Sequence, residues 1–294
     1  MTSVAIERPA VRTRAPRRIW RTIGHWALPV FTGLVVLYLM VPIIVMIIFS
    51  FNDYQGKFNY VWNAFTLNGW LHPLDWPGLG DAIRTSLVIA FVSTVIATAL
   101  GTLIGLALVR YEFRGRGAVN GLIFLPMATP EIVLGASLLT MFVASASQSP
   151  LKNIIPSGTL FPLGMQTILI AHIMFNISYV VVTVKARLIG FDRRLEEAAM
   201  DLGANEWTTF WRVTFPIILP GVVAAGLLAF SLSIDDFIIT NLVSGPTVNT
   251  FPIWVYSIQR NALPVQINVI GSIVFLSAVG FVAVSNVISA RRAR

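Results

Sequence analysis

The sequence has no cysteine, so neither a disulfide framework nor a thiolate metal site is available to it. It is also poor in charge. Only 12% of its 294 residues are charged, against about 25% in an average soluble protein, and this excludes an ordinary soluble globular domain. No G-x-x-x-x-G-K-[ST] phosphate-cradling loop occurs anywhere in the chain, so it holds no nucleotide by that route and binds no cofactor that the sequence announces. There is no nucleophile elbow and no His/Glu cluster at metal spacing, which removes support for an enzyme reading.

What is present is apolar sequence, 56% by composition. Crossing a bilayer as a helix takes about 20 consecutive apolar residues. Six runs of that kind are legible, at 28–50, 84–109, 118–143, 163–184, 217–243 and 265–290. The net charge of +8 then reads as topology rather than as nucleic-acid binding. Of the 21 basic residues, 17 fall in the two tails and the even-numbered loops and four in the odd-numbered loops, a positive-inside pattern that predicts cytoplasmic termini. The expected fold class is therefore an all-α membrane protein with six transmembrane helices. Its expected parts are a basic cytoplasmic tail at 1–27, a six-helix domain at 28–290 and a short cytoplasmic tail at 291–294.

Arg8, Arg12, Arg14, Arg17, Arg18 and Arg21 precede the first run, which is too long for the 7–15-residue core of a secretory signal, so it reads as an uncleaved anchor. Arg17-Arg18 also fits the opening of a twin-arginine signal; the anchor is the reading adopted. The outer loop from Phe51 to Asp81 is rich in aromatics, including Tyr54, Tyr60, Trp62, Trp70 and Trp76. They read as an interfacial belt with a small folded cap.

The fourth loop, 185–216, contains more pattern than a connector needs. Asp192 is placed to cap a helix. Leu195, Ala198, Ala199 and Leu202 then make one apolar stripe at helical spacing, and Gly203 suits the left-handed position that ends it. Asn205 is placed to cap a second short helix, which Pro216 should close before the fifth span. Two short helices at a glycine corner resemble a docking element. The alternative is an amphipathic helix on the lipid surface, but Glu196, Glu197 and Asp201 flank the stripe and anionic headgroups would repel them.

Glu197-Ala198-Ala199-Met200-Asp201-Leu202-Gly203, with Val213-Thr214-Phe215-Pro216 nine residues on, resembles the E-A-A-x-x-x-G-x9-I-x-L-P signature of binding-protein-dependent ABC importer permeases. The departures, Val for Ile and Phe for Leu, are conservative. Similarity extends to the second permease subunit of spermidine/putrescine importers, through Ser50-Phe51-Asn52, Tyr111-Glu112-Phe113-Arg114-Gly115, Pro130-Glu131-Ile132-Val133, Val181-Val182-Thr183-Val184, Ser231-Leu232-Ser233-Ile234-Asp235-Asp236 and Gly245-Pro246. One departure is Glu131, where that subunit is expected to carry Asp.

The resemblance implies a type I ABC importer permease fold in a bacterial inner membrane. It implies a loop from Asp192 to Trp207 that couples to an ATPase dimer, with ATP and Mg held by that partner. A second homologous permease and an extracytoplasmic solute-binding protein complete the implied complex, and no nucleic acid takes part. The implied solute is a polyamine, and similar permeases also serve opines, aminophosphonates, thiamine and ferric ion.

Independently of the resemblance, ionisable residues inside a span need a reason, since a charge at mid-bilayer costs about 2.5–3.5 kcal/mol on insertion scales. Glu131, Asp235 and Asp236 qualify, with His172 beside them. A rise of 1.5 Å per residue puts Glu131, His172 and Asp235 each about 20 Å from the cytoplasmic end of its span, in one layer. No Lys or Arg lies at that depth. An acidic layer without built-in cations suits a cationic solute. Neighbours on a helix diverge by about 100°, so one of the two aspartates can instead brace the structure. The same alternative stands for Glu131 after Pro130, and for His172 as an interhelical hydrogen-bonding group. A proton-coupled secondary transporter would also use such residues; its usual repeated halves are not seen here.

Overall fold

The computed structural model describes residues 18–148 and 162–292. Arg8, Arg12, Arg14, Arg17, Lys152 and Arg294, and with them most of the basic tail, lie outside the described residues. Among those described, regular structure is helical apart from one isolated bridge between Asn52 and Phe65. The chain forms two compact units, one from residues 1–73 with 264–294 and the other from residues 74–263.

In the first unit α1 (Arg18–Phe49) packs against α12 (Val265–Arg292), which also meets the short α2 (Asn68–Leu71). Helix α1 begins ten residues before the expected first span at 28, so residues 18–27 are helical. Its apolar surface is open, with Leu34 60% and Leu37 58% exposed. An apolar helix that the protein does not bury belongs in lipid. The outer loop is folded around Asn52. Its amide donates to Asn59 Oδ1 at 2.6 Å and to the Val61 carbonyl at 2.7 Å, and accepts from Asn63 N–H at 2.8 Å. Phe51 stacks on both Phe65 and Trp70, so these aromatics pack on one another over a cap whose buried centre is Asn52 and Asn59, with Phe65 itself exposed.

The second unit is built on three helices, α3 (Leu79–Arg110), α6 (Met165–Ile189) and α9 (Phe215–Asp235), each packed on the other two. The seam of α3 is a line of small residues: Ala82, Ser86, Ala90, Ser93, Ala97, Gly101 and Gly105 are all buried. Lipid tails are as apolar as leucine, so helices in a membrane associate through close packing of small side chains. At Gly101 the approach is closest. A Cβ there would lie 2.6 Å from Val180 Cγ1 and 2.7 Å from Val180 Cβ, whereas at Gly105 the nearest atom is 3.5 Å away. Val180 Cβ cannot rotate out of the way. Gly101→Ala is therefore expected to lower the melting temperature of the detergent-solubilised chain by about 5 °C, and Gly105→Ala to leave it within about 1 °C. Equal shifts for the two would contradict this packing.

Two expected spans are corrected by the structure. The run 118–143 is not one helix: α4 (Arg116–Ala128) and α5 (Glu131–Gln148) meet at 109°. Pro130 has no N–H to continue the ladder and drives the residue before it out of helical space; Thr129 is accordingly extended, at φ −81°, ψ 131°. The run 217–243 stops at Asp235. Asp236 is extended, at φ −63°, ψ 122°, and a short α10 (Ile238–Val243) follows, then α11 (Phe251–Ile258).

Pro216 does not end a helix as expected. The short α8 (Glu206–Thr209) runs on through a π-helical turn, Phe210–Thr214, into α9. In that wider turn Phe215 N–H bonds the Phe210 carbonyl, and the missing N–H of Pro216 falls where the helix is already re-registering. Among the described residues, four helices are long and apolar enough to cross a membrane, or five if α4 and α5 count as one broken span, and Val265–Gly280 is a shorter apolar stretch of α12. The chain is an integral membrane protein.

Candidate functional site

Both helix breaks open on the same space. A cavity of about 680 Å³ in the second unit is lined by Pro130 and Glu131 at the α4–α5 break, by Asp235, Asp236 and Phe237 at the α9–α10 break, and by Phe175 and Tyr179 of α6. Among the described residues, no Lys or Arg lines it. Three of the four ionisable residues singled out from sequence thus meet here. Glu131 is exposed and occupies the first turn of α5, where the helix dipole favours an anion. Asp235 is exposed in the last turn of α9, where the dipole opposes one.

Asp236 lines the same cavity but spends its oxygens on the fold. One oxygen accepts from Thr240 N–H at 2.8 Å and from Thr240 Oγ1 at 2.6 Å, and the other from Ile239 N–H at 3.4 Å. These bonds satisfy amides that open α10, which is the physical reason that the fifth run breaks here. The Asp236 side chain is only 6% exposed. His172 lies behind it rather than on the cavity wall, 1% exposed. Its Nδ1 is 2.6 Å from Ser233 Oγ, and its Nε2 is 2.9 Å from Thr240 Oγ1 and 3.4 Å from Asp236.

The loop before α9 forms the second site. Asp192 accepts from Arg194 N–H at 3.0 Å as α7 (Arg194–Asp201) begins. Gly203 has φ +91°, the left-handed corner that a side chain would oppose. Asn205 caps α8 by accepting from Thr208 N–H at 2.8 Å. Leu195, Leu202 and Trp207 point outward, at 48%, 90% and 71% exposure, and Glu197 and Ala198 are exposed as well, with Ala199 half-buried.

Sequence reasoning treated Glu196 only as a flanking charge, yet it is the residue that fastens this loop. Its carboxylate accepts from Arg110, the last residue of α3, and from Thr214 Oγ1 in the π-helical turn. Arg110 also reaches Thr214 Oγ1 at 3.3 Å, and Arg193 donates to the Val109 carbonyl at 2.9 Å. Residues 110 and 196 are 86 apart in sequence, and no local pattern marks such a pair. Ser233 and Thr240 were missed too. Their signal was available, as hydroxyls three before and four after Asp236 in an otherwise apolar run.

Broken helices around an acidic cavity, with a capped helical corner pinned to the end of a core helix, define a membrane transport subunit. Comparison with known proteins carries this to the family. The chain matches the model of the binding-protein-dependent transport system inner membrane component over residues 97–294, and it belongs to that family. It is 34% identical over 259 residues to the spermidine/putrescine transport system permease protein PotC of Haemophilus influenzae, covering 88% of this chain and 95% of that protein. To the putrescine transport system permease protein PotI of Escherichia coli K12 it is 37% identical over 246 residues, covering 83% and 84%. Its fold is similar to a chain of a bacterial ABC transporter that imports the acidic polysaccharide alginate, with TM-score 0.68 at 17% identity over 94% of this chain and 99% of that one.

Proposed function

We propose that this chain is one of two membrane-spanning subunits of an ATP-driven importer for polyamines, in a bacterial inner membrane with both termini cytoplasmic and six spans. The carrying observation is the cavity at the two helix breaks, with the carboxylates of Glu131 and Asp235 on its wall and, among the described residues, no cation lining it. A carboxylate at a helix C-terminus breaks a local rule, and such violations belong to sites that do something else. A passing ammonium group satisfies Asp235 in a way that the fold does not. Phe175 and Tyr179 supply aromatic surface that suits both an alkyl chain and a cation. Asp236 and His172 brace the cavity wall. The likeness to PotC and PotI supports the same solute class.

In this reading the corner from Asp192 to Trp207 docks on an ATPase dimer, which binds the ATP and Mg. A second permease completes the path and an extracytoplasmic binding protein delivers the solute. Outward-facing Leu202 and Trp207 are the contact surface. The test is uptake of labelled spermidine and putrescine by cells lacking the gene, with and without its restoration. Saturable, ATP-dependent uptake that returns with the gene is the expected result. Uptake independent of the gene would turn the search to opines, aminophosphonates, thiamine or ferric ion, and uptake driven by an ion gradient alone would favour a secondary transporter.

A further inference from the structure

The α9–α10 break is bridged by a single imidazole. Ser233 stands on α9 before the break and Thr240 on α10 after it, and the two ring nitrogens of His172, on α6, reach one hydroxyl each, at 2.6 Å and 2.9 Å. The chain of contacts continues at both ends. Ser233 Oγ lies 3.0 Å from Ser93 Oγ on α3, and Thr240 Oγ1 donates to Asp236 at 2.6 Å. Because the Thr240 hydroxyl proton goes to the carboxylate, its oxygen accepts from His172 Nε2–H. The series therefore runs from a core helix, through the histidine, to a carboxylate on the cavity wall.

We infer that His172 is a positioning residue for the solute path: by joining Ser233 to Thr240 it sets the angle between α9 and α10, keeps Asp236 turned into the fold, and so leaves Asp235 as the free carboxylate at this break. A ring placed only to fill the core would need no partner on each side of a helix break. Each hydroxyl also has a second partner, Ser93 for Ser233 and Asp236 for Thr240. Removing the ring leaves both hydroxyls partnered, and what is lost is the link between them. The edge of Phe175, at 5.4 Å between ring centroids, holds the imidazole plane.

The inference rests on the transport reading for its kinetic arm only. The absence of cysteine makes a second arm independent of any solute: in an Ile238→Cys background the introduced thiol sits at the start of α10, on the cavity wall. The assembled complex, in proteoliposomes, is tested with labelled spermidine and with a cationic methanethiosulfonate reagent. Losing the paired buried hydrogen bonds is worth about one decade in an equilibrium. His172→Ala is thus expected to raise KM for spermidine about tenfold with less change in the maximal rate, and to raise the thiol labelling rate about tenfold. His172→Gln, whose amide offers an NH2 donor on one side and a carbonyl acceptor on the other, is expected to recover both to within about twofold of wild type. Thr240→Val, which keeps the ring but severs both its bond to Thr240 and the Thr240 hydroxyl's bond to Asp236, is expected to raise the labelling rate at least as much as His172→Ala. Labelling unchanged in both His172→Ala and Thr240→Val overturns the inference, as does His172→Gln behaving like His172→Ala. Absence of spermidine uptake in the wild-type complex sinks the solute assignment instead, and the labelling rates still decide the role of His172.

Discussion

Converting both free cavity carboxylates to amides, in Glu131→Gln/Asp235→Asn, is expected to reduce putrescine uptake efficiency by at least about a hundredfold while the complex still assembles. A hydrogen bond to a charged group contributes about 1.5–3 kcal/mol, so two of them correspond to two decades or more. The two carboxylates approach the cavity from different elements, Glu131 from the first turn of α5 and Asp235 from the last turn of α9. Each single variant should lose about tenfold. Neutralising Asp235 removes an anion from the end of a helix that disfavours it, so Asp235→Asn should melt no lower than wild type. Asp236→Asn is the contrasting case. It weakens the bonds that open α10, and it should impair uptake together with thermal stability. Uptake assayed alongside melting curves separates the two outcomes; wild-type uptake in the double variant would falsify the assignment of this cavity to a cation.

The second large effect is expected at the socket under the coupling corner. Arg110→Ala should abolish solute-stimulated ATP hydrolysis in the reconstituted complex and leave membrane insertion intact. Glu196 is 16% exposed and Arg110 28%, so removing the guanidinium leaves a mostly buried carboxylate with Thr214 as its remaining partner. Breaking a fully buried pair costs about 3–5 kcal/mol, and partial exposure here brings that to about 2 kcal/mol. That is enough to loosen α7 against the end of α3, where only the Arg193 bond to the Val109 carbonyl then remains of the ties described. Glu196→Gln keeps an acceptor for both Arg110 and Thr214 and should retain most of the coupling. The swap Arg110→Glu/Glu196→Arg should recover part of what either single change loses, since the pair interacts directly. If Arg110→Ala couples as well as wild type, the Arg110–Glu196 pair is not what fastens the loop, and the corner is held by its caps and by the Arg193 bond to the Val109 carbonyl.

The corner itself was legible because caps and turns are local. Asp192, Gly203 and Asn205 act on backbone groups within three residues of themselves: Asn205 caps α8 and Gly203 takes the left-handed corner as expected, while Asp192 sits one residue before the cap position of α7, which Arg193 occupies, and accepts from Arg194 N–H. The break at Thr129-Pro130 was marked by the same kind of local rule, although the apolar run was read through it. The break at Asp236 was not marked, because it depends on a carboxylate choosing α10 amides over the cavity. The ionisable residues were singled out by counting helical rise along unbroken runs; the runs are broken in the structure, and Glu131, Asp235 and Asp236 line one cavity at those breaks. The count could not tell which of them the fold would consume.

By itself, then, the sequence determined that this chain lives in a membrane, which loop carries the capped corner, and which few ionisable residues lie deep in apolar runs. Each of these is a property of composition or of contacts within one or two turns. The tertiary structure decided that Glu131 and Asp235 share a cavity, that Asp236 belongs to a buried network with His172, and that Glu196 is held by Arg110. Those are pairings between helices far apart in sequence. Small residues at helical spacing mark the seam of α3 in the sequence, but which helices close on it, and so which distant side chains meet, is decided by the packing of the whole fold.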